Sequence, residues 1–417
     1  MPSLTVPRVT WLIGGSSAVA YYDLILYSIS AAFIGPHFFS QTGNFFAAFG
    51  VLYLAETFRA LSGFLFGHYS DHIGRRPIFL MVFVGIALST LLMGILPGYA
   101  LIGKLASILF ATGLVIQNIF FGALTPSAYT LLFEHLGKHP TGLPFGILNA
   151  LIGLAPAVGS LILWSIAKLI TPAALNSWGF RIPWILGGLI TLFLLLPLKK
   201  LLSETQPFLQ LKNSQQKLPN TLELLSGNLR RILLGQGMML LPLAISITKL
   251  VLPAYLLNIY HFDIKAIFFS MSVGYGVAAL FLKPFFGHLA DRYDKSLVLL
   301  AAALTFVIGV YPAFKWLESG QTWALWFFTL FSNLITSATA ASFSALLPQL
   351  FPVAIRSTAV GIAQGIAHLL SAGVPLLITY FYNTLRSQNY LILFFLGLAV
   401  LSIYCTITIY RLIHHEH

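Results

Sequence analysis

Charge is the scarcest commodity in this chain. Of its 417 residues only 8% are Asp, Glu, Lys or Arg, and the acidic ones number 11. Water-soluble domains carry about 25% charged residues. A chain this poor in charge cannot coat a water-facing surface, which excludes the soluble enzyme and soluble binding-module classes. Cysteine is nearly missing too. Cys405 stands alone, so no intrachain disulfide and no thiolate metal site can form. No G-x-x-x-x-G-K-[ST] stretch is present to cradle nucleotide phosphates. No enzyme motif stands out; neither catalysis nor a cofactor is expected. A cleavable signal peptide is not expected either, because the apolar run starting near Trp11 is too long and lacks a small-residue cleavage site.

What the chain has instead is apolar length. It is 58% hydrophobic with a mean hydropathy of +0.87, so its solvent is the lipid bilayer. Each helical crossing needs about 20 apolar residues. Lipid offers backbone amides no partners, so the runs must be helices, and they are too continuous for barrel strands. Twelve spans are expected, at 10–35, 44–66, 77–97, 101–133, 143–168, 181–198, 231–258, 265–288, 296–315, 321–347, 357–383 and 389–412. A linker carrying Lys212, Lys217 and Arg230 fills 201–230 and separates an N-terminal half, 1–200, from a C-terminal half, 231–417.

The net charge of +12 does not signal nucleic acid, because it follows membrane topology. With both termini in the cytoplasm, Arg75, Arg76, Lys199, Lys200, Lys212, Lys217, Arg230, Arg231, Arg292 and Lys295 all fall inside. Only Lys168, Lys265, Lys315 and Arg386 fall outside. Cytoplasmic loops hold the excess of Lys and Arg, so this orientation is preferred over its inverse. Arg59, Lys104, Arg181, Lys249 and Lys283 lie in or at the ends of spans.

Two short polar stretches interrupt the apolar pattern in the same way. The first is Gly67-His68-Tyr69-Ser70-Asp71-His72-Ile73-Gly74-Arg75-Arg76 and the second is Gly287-His288-Leu289-Ala290-Asp291-Arg292-Tyr293-Asp294-Lys295. Both resemble the G-x-x-x-D-R-x-G-R-R loop of the major facilitator superfamily. The resemblance implies an all-α membrane protein with twelve transmembrane helices in two pseudo-symmetric six-helix bundles. Other segments narrow the likeness to the metabolite:proton symporter branch: Tyr21-Tyr22-Asp23-Leu24-Ile25-Leu26-Tyr27, Arg59-Ala60-Leu61-Ser62-Gly63, Trp178-Gly179-Phe180-Arg181-Ile182-Pro183-Trp184 and Glu204-Thr205-Gln206-Pro207-Phe208. Three positions depart from the branch. Ala20 and Ala123 stand where it carries acidic residues, and a basic residue usual in helix 4 falls near Gly113.

Ionisable side chains inside a membrane cost about 2.5–3.5 kcal/mol each on insertion scales, so they need a partner or a purpose. Asp23 reads either as a protonatable carboxyl on helix 1 or as a group locked to its neighbours Tyr22 and Tyr27. Glu56 and Arg59, three apart on one helix face, read as a self-neutralising pair or as a carboxylate-binding site with Arg59 as its fork. Lys249 reads as a cation for an anionic or zwitterionic solute, or as a snorkelling side chain. His368 reads as a titrating group or a packing residue. Gln117, Asn149, Gln236, Asn333 and Gln364 bond between helices or line a solute path. In the loops, Gly67 and Gly74 allow close approach and a tight turn. Asp71, Arg75 and Arg76 can bond to one another and to helix ends. The resemblance gives Asp71 and Arg75 the role of latching a cytoplasmic gate. Asp291 and Arg292 match in the second loop, but Asp294 replaces the second glycine, so a looser turn is expected there.

These readings converge on a secondary transporter of a small polar metabolite: an organic acid, an amino acid or a betaine-like zwitterion. Import with proton symport is expected, in a monomer with both termini cytoplasmic in a bacterial inner membrane. Its partners would be the solute, protons and the lipid bilayer, with no nucleic acid. Two alternatives stay open. Ala155-Pro156-Ala157-Val158-Gly159-Ser160 echoes an antiporter signature, which would suit an exporter, and a solute sensor that moves nothing would share the fold.

Overall fold

The computed structural model describes residues 5–39, 45–214, 221–258, 260–374, 377–378 and 389–415. Every regular element among them is helical. The long helices are α1 (Val6–Phe38), α2 (Phe45–Ile73), α3 (Arg75–Ile95), α4 (Lys104–Leu136), α5 (Gly142–Leu169) and α6 (Ile182–Leu201). They continue as α7 (Leu229–Asn258) and α8, which runs from Ile264–Val277 through a π-helical turn, Ala278–Leu282, into Lys283–Tyr293. The series ends with α9 (Lys295–Leu317), α10 (Thr322–Leu346), α11 (Arg356–Ala372) and α12 (Asn389–His415). Ten described stretches are long and apolar enough to cross a membrane. The linker carries two short helices, Gln206–Asn213 and Thr221–Gly227.

The chain forms two compact units. One comprises Met1–His135, Leu151–Leu218 and Val353–Gly365; the other comprises Leu136–Ala150, Pro219–Pro352 and Ile366–His417. Inside lipid, helices gain little from hiding apolar surface, so close packing holds them together. The first unit packs Phe38 flat on Phe110, centroids 4.5 Å apart, with Trp184 edge-on at 6.3 Å. The second stacks Phe306 on Phe331 and sets Phe314 edge-on to Phe328 at 5.2 Å.

Glycine explains why a segment of α11 belongs to the first unit and a segment of α5 to the second. Gly63 and Gly67 on α2 lie against Gly361 and Ser357 on α11. A Cβ on Gly63 would sit 2.8 Å from the Gly361 carbonyl oxygen, and one on Gly67 would sit 2.6 Å from that of Ser357. In the second unit a Cβ on Gly146 of α5 would lie 2.6 Å from the Lys283 carbonyl oxygen, and one on Gly287 of α8 would lie 2.6 Å from that of Gly142. Both crossings bring backbone against backbone, which only glycine permits. The four-residue spacings Gly63…Gly67, Gly142…Gly146 and Gly361…Gly365 put the small residues on one helix face.

Candidate functional site

The first loop is the hub of a buried ionic network. Asp71 lies in the last turn of α2, and its carboxylate accepts from the amides of Ser357 (3.1 Å) and Thr358 (2.8 Å) and from the Thr358 hydroxyl (2.6 Å). Those amides are the otherwise unpaired donors at the start of α11, where the helix dipole also favours an anion. Arg75, 1% exposed, pairs with Asp71 at 3.2 Å and with Glu134 at 3.1 Å. It also donates to the carbonyls of Ser70 (3.0 Å) and Val353 (2.6 Å), and its guanidinium lies over the Phe208 ring. Arg356 donates to the same Glu134 at 2.9 Å, and Thr205 adds its hydroxyl. Glu204 accepts from the amides of Arg75 (3.1 Å) and Arg76 (3.2 Å), capping α3 from a distant part of the chain. Arg76 reaches the Lys199 carbonyl at 2.6 Å. Sequence reasoning singled out Asp71, Arg75 and Arg76 but missed Glu134 and missed Glu204 as a cap. The available signal was that both are acidic residues at the ends of strongly apolar runs.

The second loop is simpler. Asp291 accepts from the amides of Gly142 (2.6 Å) and Leu143 (2.7 Å), at the start of α5. Arg292 lies near the ring of its neighbour Tyr293. The looser turn expected at Asp294 is not found. Asp294 holds φ 83° and ψ 138°, in the same strained region as Gly74 at φ 133° and ψ 157°. Its own carboxylate offsets part of that strain: it caps α9 by accepting from the Ser296 amide at 2.7 Å.

Within the first unit, Asp23 is 0% exposed. Tyr22 does not bind it, since the Tyr22 hydroxyl donates to the Pro183 carbonyl at 3.2 Å. Thr191 of α6 donates to Oδ2 at 3.0 Å, and Gly187 leaves the space the carboxyl fills. Oδ1 has no hydrogen-bond partner. Thr90 of α3 lies within hydrogen-bonding reach of the carboxyl; its hydroxyl is also 2.8 Å from the Ile86 carbonyl and accepts from the Gln117 amide at 2.8 Å. Asp23 and Gln117 are thus joined through Thr90. Ala20 and Ala123, where the resemblance puts acids, are both buried.

Glu56 and Arg59 do pair, at 3.3 Å. Tyr21 lies within hydrogen-bonding reach of Arg59 and shares a 2.7 Å bond with Thr125. At the far end of α1, His37 meets Arg181 at 2.8 Å; burial and then the Arg181 charge hold the imidazole below its ordinary range. Gln364 is buried at 3%, with its Nε2 lacking a partner. In the second unit Asn149 donates to Phe145 O (2.8 Å) and Ser344 Oγ (3.0 Å), and Asn333 donates to Thr329 O at 2.9 Å. Gln236 and His368 are half-buried. The side chains of Tyr27 and Lys249 lie outside the described residues. The described residues hold no cluster of metal ligands.

Known proteins match this arrangement. The family model of the Major Facilitator Superfamily matches residues 12–273 and 234–417. The chain is 26% identical over 387 residues to the shikimate transporter of Escherichia coli (strain K12), covering 89% of this chain and 87% of that protein. It is 26% identical over 373 residues to the citrate-proton symporter of Salmonella typhi, covering 85% and 82%. Among solved structures, the proton:xylose symporter XylE superposes with a TM-score of 0.75 at 16% identity, covering 97% of this chain and 95% of that one. The expected twelve-helix architecture stands, and the chain is a secondary transporter rather than an enzyme. On this breadth of match, with its paired loops, the chain belongs to the Major Facilitator Superfamily.

Proposed function

We propose that this transporter imports a small polar metabolite together with protons, and that Asp23 carries the coupling proton. The environment of Asp23 is the observation behind this reading. A carboxyl fully shielded from solvent, reached only by the hydroxyls of Thr191 and Thr90, has no cation among the described residues to compensate a negative charge. Burying an ion without a counter-charge or a full set of donors is costly. A proton on Oδ1 removes that charge and creates a donor. Release of the proton then requires a conformation in which water or a donor reaches the carboxyl, so occupancy by the proton and the state of the carrier are linked. Relatives named as a citrate-proton symporter and a proton:xylose symporter support symport.

The rest of the reading follows the topology. Residues 1–200 and 231–417 serve as two six-helix bundles joined by a cytoplasmic linker at 201–230, with both termini cytoplasmic in a bacterial inner membrane. The loop network around Asp71 and Arg75 acts as the latch of the cytoplasmic gate. Asp23→Asn in proteoliposomes tests the coupling. The variant keeps the shape and a donor but cannot exchange a proton. Gradient-driven accumulation should fall to equilibration, while solute counterflow stays within roughly threefold of wild type. Accumulation by Asp23→Asn at the wild-type level would remove Asp23 from the coupling.

A further inference from the structure

Lys283 is a cation placed deep in α8 for which the described residues provide no acidic partner. Its ammonium donates to a single neutral group, the backbone carbonyl of Asn149, at 2.8 Å. None of the ion pairs among the described residues includes it. Its side chain bonds across to α5 and not along its own helix toward Tyr293, the last residue of α8, about 15 Å further along the axis. The ammonium is therefore turned into the helix pack with one neutral partner, an arrangement that costs free energy unless a second partner arrives.

Packing does not require a lysine here. The crossing of α8 with α5 repeats the crossing of α2 with α11. Gly287 corresponds to Gly67 and Asp291 to Asp71, so Lys283 corresponds to Gly63. At Gly63 the same helix contact is made with no side chain at all. What the second crossing adds is a charge.

The helix is also re-aimed at this point. The Lys283 amide donates to the Ala278 carbonyl, five residues back, in the π turn. Pro284 follows and has no amide to donate, and a π turn absorbs such a break. One extra residue in the turn rotates everything after it by about 100°. Without the π turn, Lys283 would point about 80° away from Tyr275; with it, the two lie within about 20° of each other on one helix face. Asn149, whose carbonyl holds the lysine, carries its side-chain amide to Ser344, so two further polar groups belong to the same neighbourhood.

We propose that Lys283 is the binding residue for a carboxylate of the transported solute, with Asn149 and Ser344 beside it, so that the substrate class is an organic anion. The ammonium exchanges its bond to the Asn149 carbonyl for a charge-assisted bond to the solute. This inference rests on the transport reading above.

The test uses the full-length protein in proteoliposomes with four probes: shikimate and citrate as carboxylates, glycine betaine as a zwitterion and xylose as a neutral solute. Wild type should move at least one of the two carboxylates in preference to betaine and xylose. Lys283→Gln should raise its half-saturation concentration at least about tenfold, and Lys283→Arg should restore it to within about threefold. Lys283→Gly, which copies Gly63, should fold with an unchanged melting temperature and still show the transport defect. Unchanged half-saturation in Lys283→Gln, or wild-type preference for betaine or xylose, overturns this inference and leaves transport standing. A wild-type protein that moves none of the four and gains no thermal stability from either carboxylate overturns both.

Discussion

The last turns of α2 and of α8 share a glycine and an aspartate at the same spacing, and each aspartate caps the start of another helix. Beyond that they diverge. Asp71 is backed by Arg75, which is itself held by Glu134, and Glu134 also binds Arg356 and Thr205. Asp291 caps α5 through two amides, and the described residues give it no ion pair. The residue matching Arg75 is Lys295, which lacks the planar fork that engages two acceptors at once. The two loops also reach the same turn by different means. Gly74 adopts it freely, and a remote carboxylate, Glu204, caps α3. Asp294 adopts it under strain and caps α9 with its own side chain. A shared motif therefore specifies the helix cap, while the residues outside the motif decide how strongly the loop is held.

The comparison predicts a ranked set of effects. Arg75→Ala leaves buried Asp71 without a cation and Glu134 with Arg356 alone, so the protein should lose about 3–5 kcal/mol of stability, read as a drop in thermal unfolding temperature in detergent. Asp291→Asn, in the poorer loop, should cost only about 1–2 kcal/mol. If the two losses are equal, the loops are equivalent and the asymmetry is wrong. Asp294→Gly should stabilise by about 1 kcal/mol, since relief of an unfavourable backbone conformation outweighs the few tenths lost with the cap. A drop in melting temperature for Asp294→Gly would show that the self-made cap matters more than the strain.

Much of this was open to the sequence. Apolar runs of membrane length locate the twelve long helices of the described residues, with the end of the expected span 357–383 lying outside them, because lipid permits no other backbone solution. Asp71, Arg75 and Asp291 could be read because their spacing is local. Glu134 and Glu204 could not, because they meet Arg75 from 59 and 129 positions away, and nothing local encodes that pairing. Thr191 meets Asp23 across 168 positions, which is why the tyrosines beside Asp23 in sequence were the obvious candidate partners. The looser turn expected at Asp294 followed the rule that positive φ belongs to glycine; it overlooked that an aspartate at a helix start can offset strain with a capping bond. Lys283 was visible as a charge within a span. Its lack of an acidic partner emerges only from three-dimensional neighbours.

One property of the first loop's network bears on how the carrier meets the cell's electric field. Asp71 and Glu134 balance Arg75 and Arg356, so the buried quartet sums to zero. A membrane voltage does about 2.3 kcal/mol of work per 100 mV on each elementary charge that crosses it. On a neutral quartet shifting as one body it does none. Voltage sensitivity in this transporter should then reside in isolated charges such as Lys283 and in the solute and protons they accompany.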